Sequence, residues 1–309
     1  MTTRVCVGVP TYLRNGLLRD ALLALAHLSA PPETFIVQVA VFDNDPLGGA
    51  APVVSEIRPS MPFPIAYVHV PLAGLSNVRN AALSFAGRHA DLLAMLDDDE
   101  QPEPQWLNEL LRMSTARGAA VVVGPVNADL PADAPAWIRA FRECEYPRLR
   151  DGESLSDGWS SNFLLDLRQI AGLNLTFDVT LNRIGGEDQL FFRRMLAHGR
   201  IIRYAANATV WETLPPARRS LGAILKRSFR RGGSLTMCDR TLRGGFGTML
   251  RRGMKGGGLI LLSSAKLGPI LLLRGVSPAI LLLCEIARGA GMLAAFAGLE
   301  YQAYRARAA

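Results

Sequence analysis

Short apolar runs alternate with longer helix-like stretches through residues 4–124. Residues 4–10 (Arg-Val-Cys-Val-Gly-Val-Pro) are rich in β-formers and stop at Pro10, the pattern of a short strand. A helix is expected from about Leu17 to Leu28, and residues 35–42 read as a second buried strand, closed by the turn-forming Asp43-Asn44-Asp45-Pro46. A weaker strand is expected at 65–70. The segment Gly74-Leu75-Ser76-Asn77 resembles a helix start with Ser76 or Asn77 as N-cap, leading into a helix over about 78–88. A strand at 92–96, a helix from Trp106 to Arg117 and a strand over 119–124 complete the series.

Strands alternating with helices at this spacing predict an α/β fold, a Rossmann-like mostly parallel sheet with helices on both faces. Such sheets bind ligands outside the carboxyl ends of their strands. Three of those ends carry polar groups: Pro10-Thr11-Tyr12, Asp43-Asn44-Asp45 and Asp97-Asp98-Asp99. The last belongs to the run Asp97-Asp98-Asp99-Glu100, four carboxylates directly after the apolar stretch 92–96. Adjacent like charges repel, and a hard divalent cation such as Mg²⁺ or Mn²⁺ would compensate them; a solvated acidic turn is the other reading these residues allow. No GxGxxG follows the first strand and no GxxxxGK[ST] is present, so dinucleotide and P-loop readings fail.

At 309 residues the chain can bury a large core without staples, and its four cysteines (Cys6, Cys144, Cys238, Cys284) form no metal-binding spacing. The net charge of +7 is uneven. Acids concentrate before about residue 190, and a basic block follows from Arg218 to Lys255. A diphosphate, an anionic membrane or nucleic acid would each suit such a block. The absence of interleaved aromatic residues counts against single-stranded nucleic acid. No signal peptide is expected at Met1-Thr2-Thr3-Arg4. Two apolar stretches stand near the C-terminus: 258–273, broken by Lys266 and Pro269, and 276–299, broken by Glu285 and Arg288. Because central charges are costly in a bilayer, helices lying on or dipping into the membrane surface are preferred over a spanning hairpin or a buried soluble subdomain.

The set Val9-Pro10-Thr11-Tyr12-x-Arg14, Phe42-Asp43-Asn44-Asp45, Gly74-Leu75-Ser76-Asn77-Val78-Arg79-Asn80, Leu96-Asp97-Asp98-Asp99-Glu100 and Gly185-Gly186-Glu187-Asp188 resembles the family 2 inverting glycosyltransferases of the GT-A fold. The likeness extends over about residues 4–232 and is strongest to bacterial exopolysaccharide enzymes of the succinoglycan type. It implies a nucleotide-diphosphate sugar donor, with UDP first among bases, and a saccharide acceptor on a polyprenyl lipid. Mg²⁺ or Mn²⁺ is the implied cofactor. Pro10, Thr11, Tyr12 and Arg14 would meet the nucleotide, and Asp43 the base or ribose. Arg79 and Asn80 would meet phosphate or hold the acids. Asp97 would contact ribose or donor sugar with Asp98 beside it, Asp99 would bind the metal, and Glu100 would be solvated. Asn162 lies on the implied sugar-facing strand. Asp188 would be the general base and Glu187 its support. Many relatives place a metal-binding His where Glu212 stands here, so Glu212 is a candidate oxygen ligand. Arg227, Arg230 and Arg231 would close over the diphosphate. Trp106 and Trp137 would pack.

Residues 1–215 are thus expected to form a GT-A domain, 216–255 a basic helical segment and 256–309 an apolar membrane-associated tail, on the cytoplasmic face of the inner membrane. Two other readings compete. A nucleotidyltransferase would show a Gly-rich first loop with a basic residue, which is absent. A non-enzymatic membrane adaptor would need only the basic block and the tail.

Overall fold

The structure, a computed structural model, describes residues 2–182 and 184–299. The chain runs β1 (Thr3–Thr11), α1 (Asn15–Ala26), β2 (Phe35–Asp43), α2 (Ala51–Ile57), β3 (Ile65–His69), α3 (Leu75–His89), β4 (Leu92–Leu96), β5 (Glu100–Pro102) and α4 (Trp106–Arg117). It continues through β6 (Val121–Val123), β7 (Val126–Asp129), α5 (Ala136–Glu145), β8 (Ser154–Leu155), β9 (Asn162–Asp166), α6 (Leu167–Ile170) and α7 (Glu187–Ala197). The last elements are β10 (Ile202–Tyr204), β11 (Val210–Thr213), α8 (Leu221–Arg243), α9 (Phe246–Arg274) and α10 (Val276–Phe296). Contacts divide these elements into two compact units. One comprises Met1–Asp129, Tyr146–Val179 and Phe191–Thr213; the other comprises Leu130–Glu145, Thr180–Leu190 and Leu214–Ala309.

The first unit is built on an eight-stranded sheet in the order β3-β2-β1-β4-β9-β6-β10-β8. Its first four strands are parallel, with β1 paired to β2 from Thr3↔Phe35 to Thr11↔Asp43 and to β4 from Val5↔Leu92 to Gly8↔Met95. Beyond β4 the sheet is mixed, because β9 runs antiparallel to both β4 and β6. Alternation along the strands produces two apolar faces. Val5, Val7 and Val9 join Leu18, Leu22 and Leu110 on one side, while Cys6, Ala40 and Phe42 join Val78, Ala82 and Phe191 on the other. A small sheet, β5-β11-β7, sets β11 antiparallel to β5 and parallel to β7.

Helix α3 starts before the expected cap. Gly74 occupies the N-cap with φ 146°, a conformation that favours glycine, and its N–H donates to Asn44 Oδ1 at 2.8 Å. Ser76 lies inside the first turn, fully buried, and donates its hydroxyl to the Asp178 carbonyl.

In the second unit α10 packs on α8 and α9 through backbone-to-backbone approaches that only glycine permits. A Cβ added to Gly291 would lie 1.9 Å from the Phe229 carbonyl oxygen, and one on Gly232 would lie 2.0 Å from that of Arg288. Such small-residue contacts are a common way for apolar helices to associate closely. Helix α9 is continuous through Pro269, which corrects the reading of 258–273 as broken. Pro269 is exposed and leaves the carbonyl of Ala265 without its usual helical donor. Both α9 and α10 are long and apolar enough to cross a membrane by length and composition. Glu285 and Arg288, counted as two charges within the second stretch, form an i,i+3 ion pair.

Gly291→Val is expected to lower the thermal midpoint by the equivalent of about 3 kcal/mol or more, because the clash is with backbone. Gly258→Ala, where a Cβ meets nothing within 4 Å, is expected to raise it slightly through helix propensity. Paired thermal melts check both.

Candidate active site

The carboxyl end of β1 is shaped for a ligand. Pro10 falls beyond the last β1–β4 pair, where a missing N–H is tolerated. Leu13 takes a left-handed backbone conformation (φ 55°), which turns the chain into Arg14, the N-cap of α1. Thr11 donates its hydroxyl to Asp98 Oδ2 at 2.8 Å. One guanidinium nitrogen of Arg14 donates to Asp98 Oδ1 and to Asp99 Oδ2, each at 3.0 Å. Tyr12 stands 43% exposed beside them in sequence.

The acidic run after β4 is a tight turn. The Glu100 N–H donates to the Asp97 carbonyl at 3.1 Å, and the Asp97 N–H donates to Glu100 Oε2 at 3.2 Å. Asp98, Asp99 and Glu100 are buried, which corrects the expectation of a solvated Glu100. The reason is β11. Its Thr213 N–H donates to the Asp99 carbonyl, and Glu212 sits directly opposite Glu100 in the antiparallel β5–β11 pair. Glu212 is itself buried, so two carboxylates face each other across a ladder where like charges destabilise.

The electrostatics follow from this crowding. Burial, then the neighbouring charges of Asp99, Asp98 and Glu212, push the Asp97 carboxyl up to about 7, with Arg79 pulling the other way. Burial, with Asp97, Glu212 and Asp99, holds Glu100 well above the usual carboxylate range. Burial works against the charge of Arg14, yet Asp98 and Asp99 more than offset it and raise its pKa.

Other expected ligand contacts serve the scaffold. Asp43 is fully buried; its carboxylate accepts from the N–H groups of Asp45 and Ala50 and from the Tyr67 hydroxyl. These bonds fasten the loop after β2. Asn80 clasps the backbone of Phe177 with both ends of its amide, and Arg79 lies over the Phe177 ring at 5.7 Å. Asn162 is fully buried, accepting from Trp106 Nε1 and donating to the carbonyls of Pro125 and Ala208. Each polar atom of its side chain is thus bonded inside the fold. Trp106 packs fully buried, and Trp137 packs half-buried against the apolar cluster of the second unit.

Glu187 and Asp188 belong to the second unit, in the first turn of α7. Gly185 (φ 85°) and Gly186 (φ 94°) deliver them, and the Gly186 carbonyl accepts from Cys238 Sγ on α8 at 3.2 Å. A Cβ on Gly186 would lie 2.9 Å from Ser234 Cβ, so α8 braces this turn. Glu187 is buried and Asp188 half-buried. Arg227 pairs with Glu145 of α5, which also holds Arg142. Arg230 and Arg231 are half-buried on α8.

Among the described residues, no three His, Cys, Asp or Glu side chains converge on one metal-holding point. The donors instead suit a Mg²⁺-like ion held by one or two carboxylates plus substrate phosphates and water. The excess of buried carboxylates over the cations Arg14 and Arg79 at this turn fits an added positive charge. The sequence carried no local sign that Arg14 would bridge two of the acids; that pairing spans more than eighty residues of chain.

A helix-covered sheet of this order, with acids ending its fourth strand, is the GT-A architecture, and the protein is of the glycosyltransferase class. The chain belongs to glycosyl transferase family 2, whose profile matches residues 6–169. It is 38% identical over 232 residues to the succinoglycan biosynthesis protein ExoM of Rhizobium meliloti (strain 1021), covering 75% of this chain and 74% of that protein. Its fold resembles that of the mannosyltransferase PcManGT from Pyrobaculum calidifontis, solved with GDP-Man and Mn²⁺, at a TM-score of 0.60 and 16% identity over 97% of this chain and 87% of that one. It also resembles S. aureus TarS 1–349, solved with UDP-GlcNAc, at 0.53 and 14% over 99% and 93%. Against the longer TarS chain it spans 47% of the length, with 81% of its own covered, at 0.51 and 14% identity.

The raised carboxylates predict a pH signature. An unfolded chain ionises near the ordinary 3.8 of an aspartate, whereas folded Asp97 keeps its proton to about 7. Stability from Asp97 is therefore present below about pH 4 and lost as pH rises through about 7, and Glu100, raised in the same direction, acts with the same sign. In EDTA, Glu100→Gln is expected to melt higher than wild type at pH 8, with the gap closing by pH 5. An equal gap at both pH values would remove burial of a charged Glu100 as its cause.

Proposed function

We propose that this protein transfers a sugar, with inversion, from a nucleotide-diphosphate donor, UDP-linked in the first instance, to a saccharide acceptor on a polyprenyl lipid during polysaccharide assembly. The observation that carries the reading is the buried carboxylate turn after β4, joined by Glu212 across the β5–β11 pair. Family membership and the likeness to ExoM support the chemistry. The GDP-Man and UDP-GlcNAc bound by those structurally similar proteins support the donor class.

On this reading Asp97 contacts ribose or donor sugar, Asp98 steadies the turn, and Asp99 and Glu212 hold Mg²⁺ or Mn²⁺. When bound, the ion neutralises charge on the departing diphosphate. Tyr12 offers its exposed ring to the base, with Pro10 and Thr11 shaping the loop. Asp188 takes the proton of the acceptor hydroxyl as that oxygen attacks the anomeric carbon. The bond from that carbon to the diphosphate breaks on the opposite face, and the nucleoside diphosphate leaves with the electron pair. Asp188 stands half-buried in the first turn of α7. Arg230 and Arg231 supply positive charge for the diphosphate.

Residues 1–215 carry transfer on this account, 216–255 form the basic segment and 256–309 attach the protein to the cytoplasmic face of the inner membrane. Seven Lys or Arg and no acid lie in the stretch from Arg240 to Cys284, Arg240 included. Leu261, Leu262, Leu272 and Leu273 of α9 are exposed. An apolar surface with only positive charge around it suits anionic lipid.

Asp188→Ala is expected to lower transfer by about 10³-fold or more while leaving donor affinity within a few-fold, as for removal of a general base. Asp99→Ala is expected to lose both transfer and metal-dependent donor binding. Transfer assays with isothermal titration of the donor separate the two; full transfer by either variant would sink the reading.

A further inference from the structure

Arg14 is placed oddly for a cation. It caps the N-terminus of α1, the end where the helix dipole disfavours positive charge, and no acid stands in the first turn of that helix. What holds it is the acidic turn. A single nitrogen, Nη1, reaches both Asp98 Oδ1 and Asp99 Oδ2 at 3.0 Å. A guanidinium that locks a carboxylate uses the two-nitrogen fork, and this one does not. Its side chain is 37% exposed while those of Asp98 and Asp99 are 6% and 7% exposed. The carboxylates are fixed, Asp98 by Thr11 as well, and the arginine has room to leave.

The carboxylate oxygen of Asp99 that Arg14 touches belongs to the group assigned above to the divalent ion. Two cations cannot share that carboxylate without repelling each other. We propose that Arg14 is a resident counter-cation, standing in for the metal at Asp98 and Asp99 until metal and donor bind together, and then moving from the carboxylates to the donor diphosphate. This rests on the metal reading of the preceding subsection. Its consequence is an ordered site. In the donor-free protein the metal competes with Arg14 and binds weakly. With the diphosphate present Arg14 has a second anion to bind, and metal and nucleotide strengthen each other reciprocally. Thr11 keeps Asp98 in place through the exchange.

The test reads metal binding and needs no turnover. Mn²⁺ is titrated into the full-length protein, with free Mn²⁺ followed by electron paramagnetic resonance, without nucleotide and at saturating UDP. Wild type is expected to bind Mn²⁺ about tenfold or more tightly with UDP than without. Arg14→Gln removes the competitor, so its donor-free Mn²⁺ affinity is expected to rise about tenfold and the gain from UDP to shrink to a few-fold. Arg14→Lys keeps the positive charge and is expected to stay near wild type without donor, which separates charge competition from a disturbed loop. Donor-free Mn²⁺ affinity that is unchanged or weaker in Arg14→Gln, or equally raised in Arg14→Lys, overturns the exchange and leaves the metal reading intact. Wild type that binds no Mn²⁺ even with UDP overturns both.

Discussion

Asp97, Asp98, Asp99, Glu100 and Glu212 bring five carboxyl groups to one turn and the strand beside it, where Arg14 and Arg79 supply positive charge and burial makes Asp97 and Glu100 hold their protons to higher pH than usual. Like charges at such separations in a partly desolvated site cost several times what they would in water. The surrounding structure follows from how that repulsion is contained. β4 and its buried neighbours fix the turn rigidly, and β11 closes it by bonding the Asp99 carbonyl. Thr11 and Arg14 reach across from β1. Protonation of the buried carboxyls is one relief of that repulsion, and on the proposed reading a bound cation would be another.

The scaffold residues explain why the turn does not relax. Asn162, at the start of β9, ties Trp106 of α4 to two loop carbonyls, so the strand next to β4 cannot slide. Asp43 does the same for the loop after β2, with Tyr67 from β3. These buried polar groups are fully engaged, and removing any of them would leave partners unsatisfied at a cost of about 1–3 kcal/mol each. Asp43 and Asn162 therefore hold the loop after β2 and the strand beside β4 in place.

Much of the catalytic unit was legible because its signals are local. The apolar runs at 4–10, 35–42 and 92–96 became β1, β2 and β4, and the Trp106–Arg117 helix matches α4. Parallel strands buried on both faces leave near-continuous apolar runs in the sequence, as in β4. Three things were illegible for a shared reason, that they depend on partners distant in the chain. The antiparallel insertion of β9 depends on pairing across about seventy residues. The burial of Glu100 depends on β11, more than a hundred residues later. The internal bonding of Asn162 depends on Trp106, Pro125 and Ala208, none of which its neighbours in sequence reveal. In the second unit, Pro269 and the charges of α10 suggested interruption, while the glycine contacts that seat α10 on α8 leave little trace in hydropathy.

The central claim is that the carboxylate turn with Glu212 is a metal-assisted site for a nucleotide-diphosphate sugar. The most direct measurement is donor hydrolysis by the purified full-length protein across a panel of UDP- and GDP-sugars, with Mn²⁺ and again in EDTA. The account predicts release of nucleoside diphosphate from at least one donor with Mn²⁺, abolished by EDTA. Silence with every donor in Mn²⁺, or release at the full rate in EDTA, would contradict it.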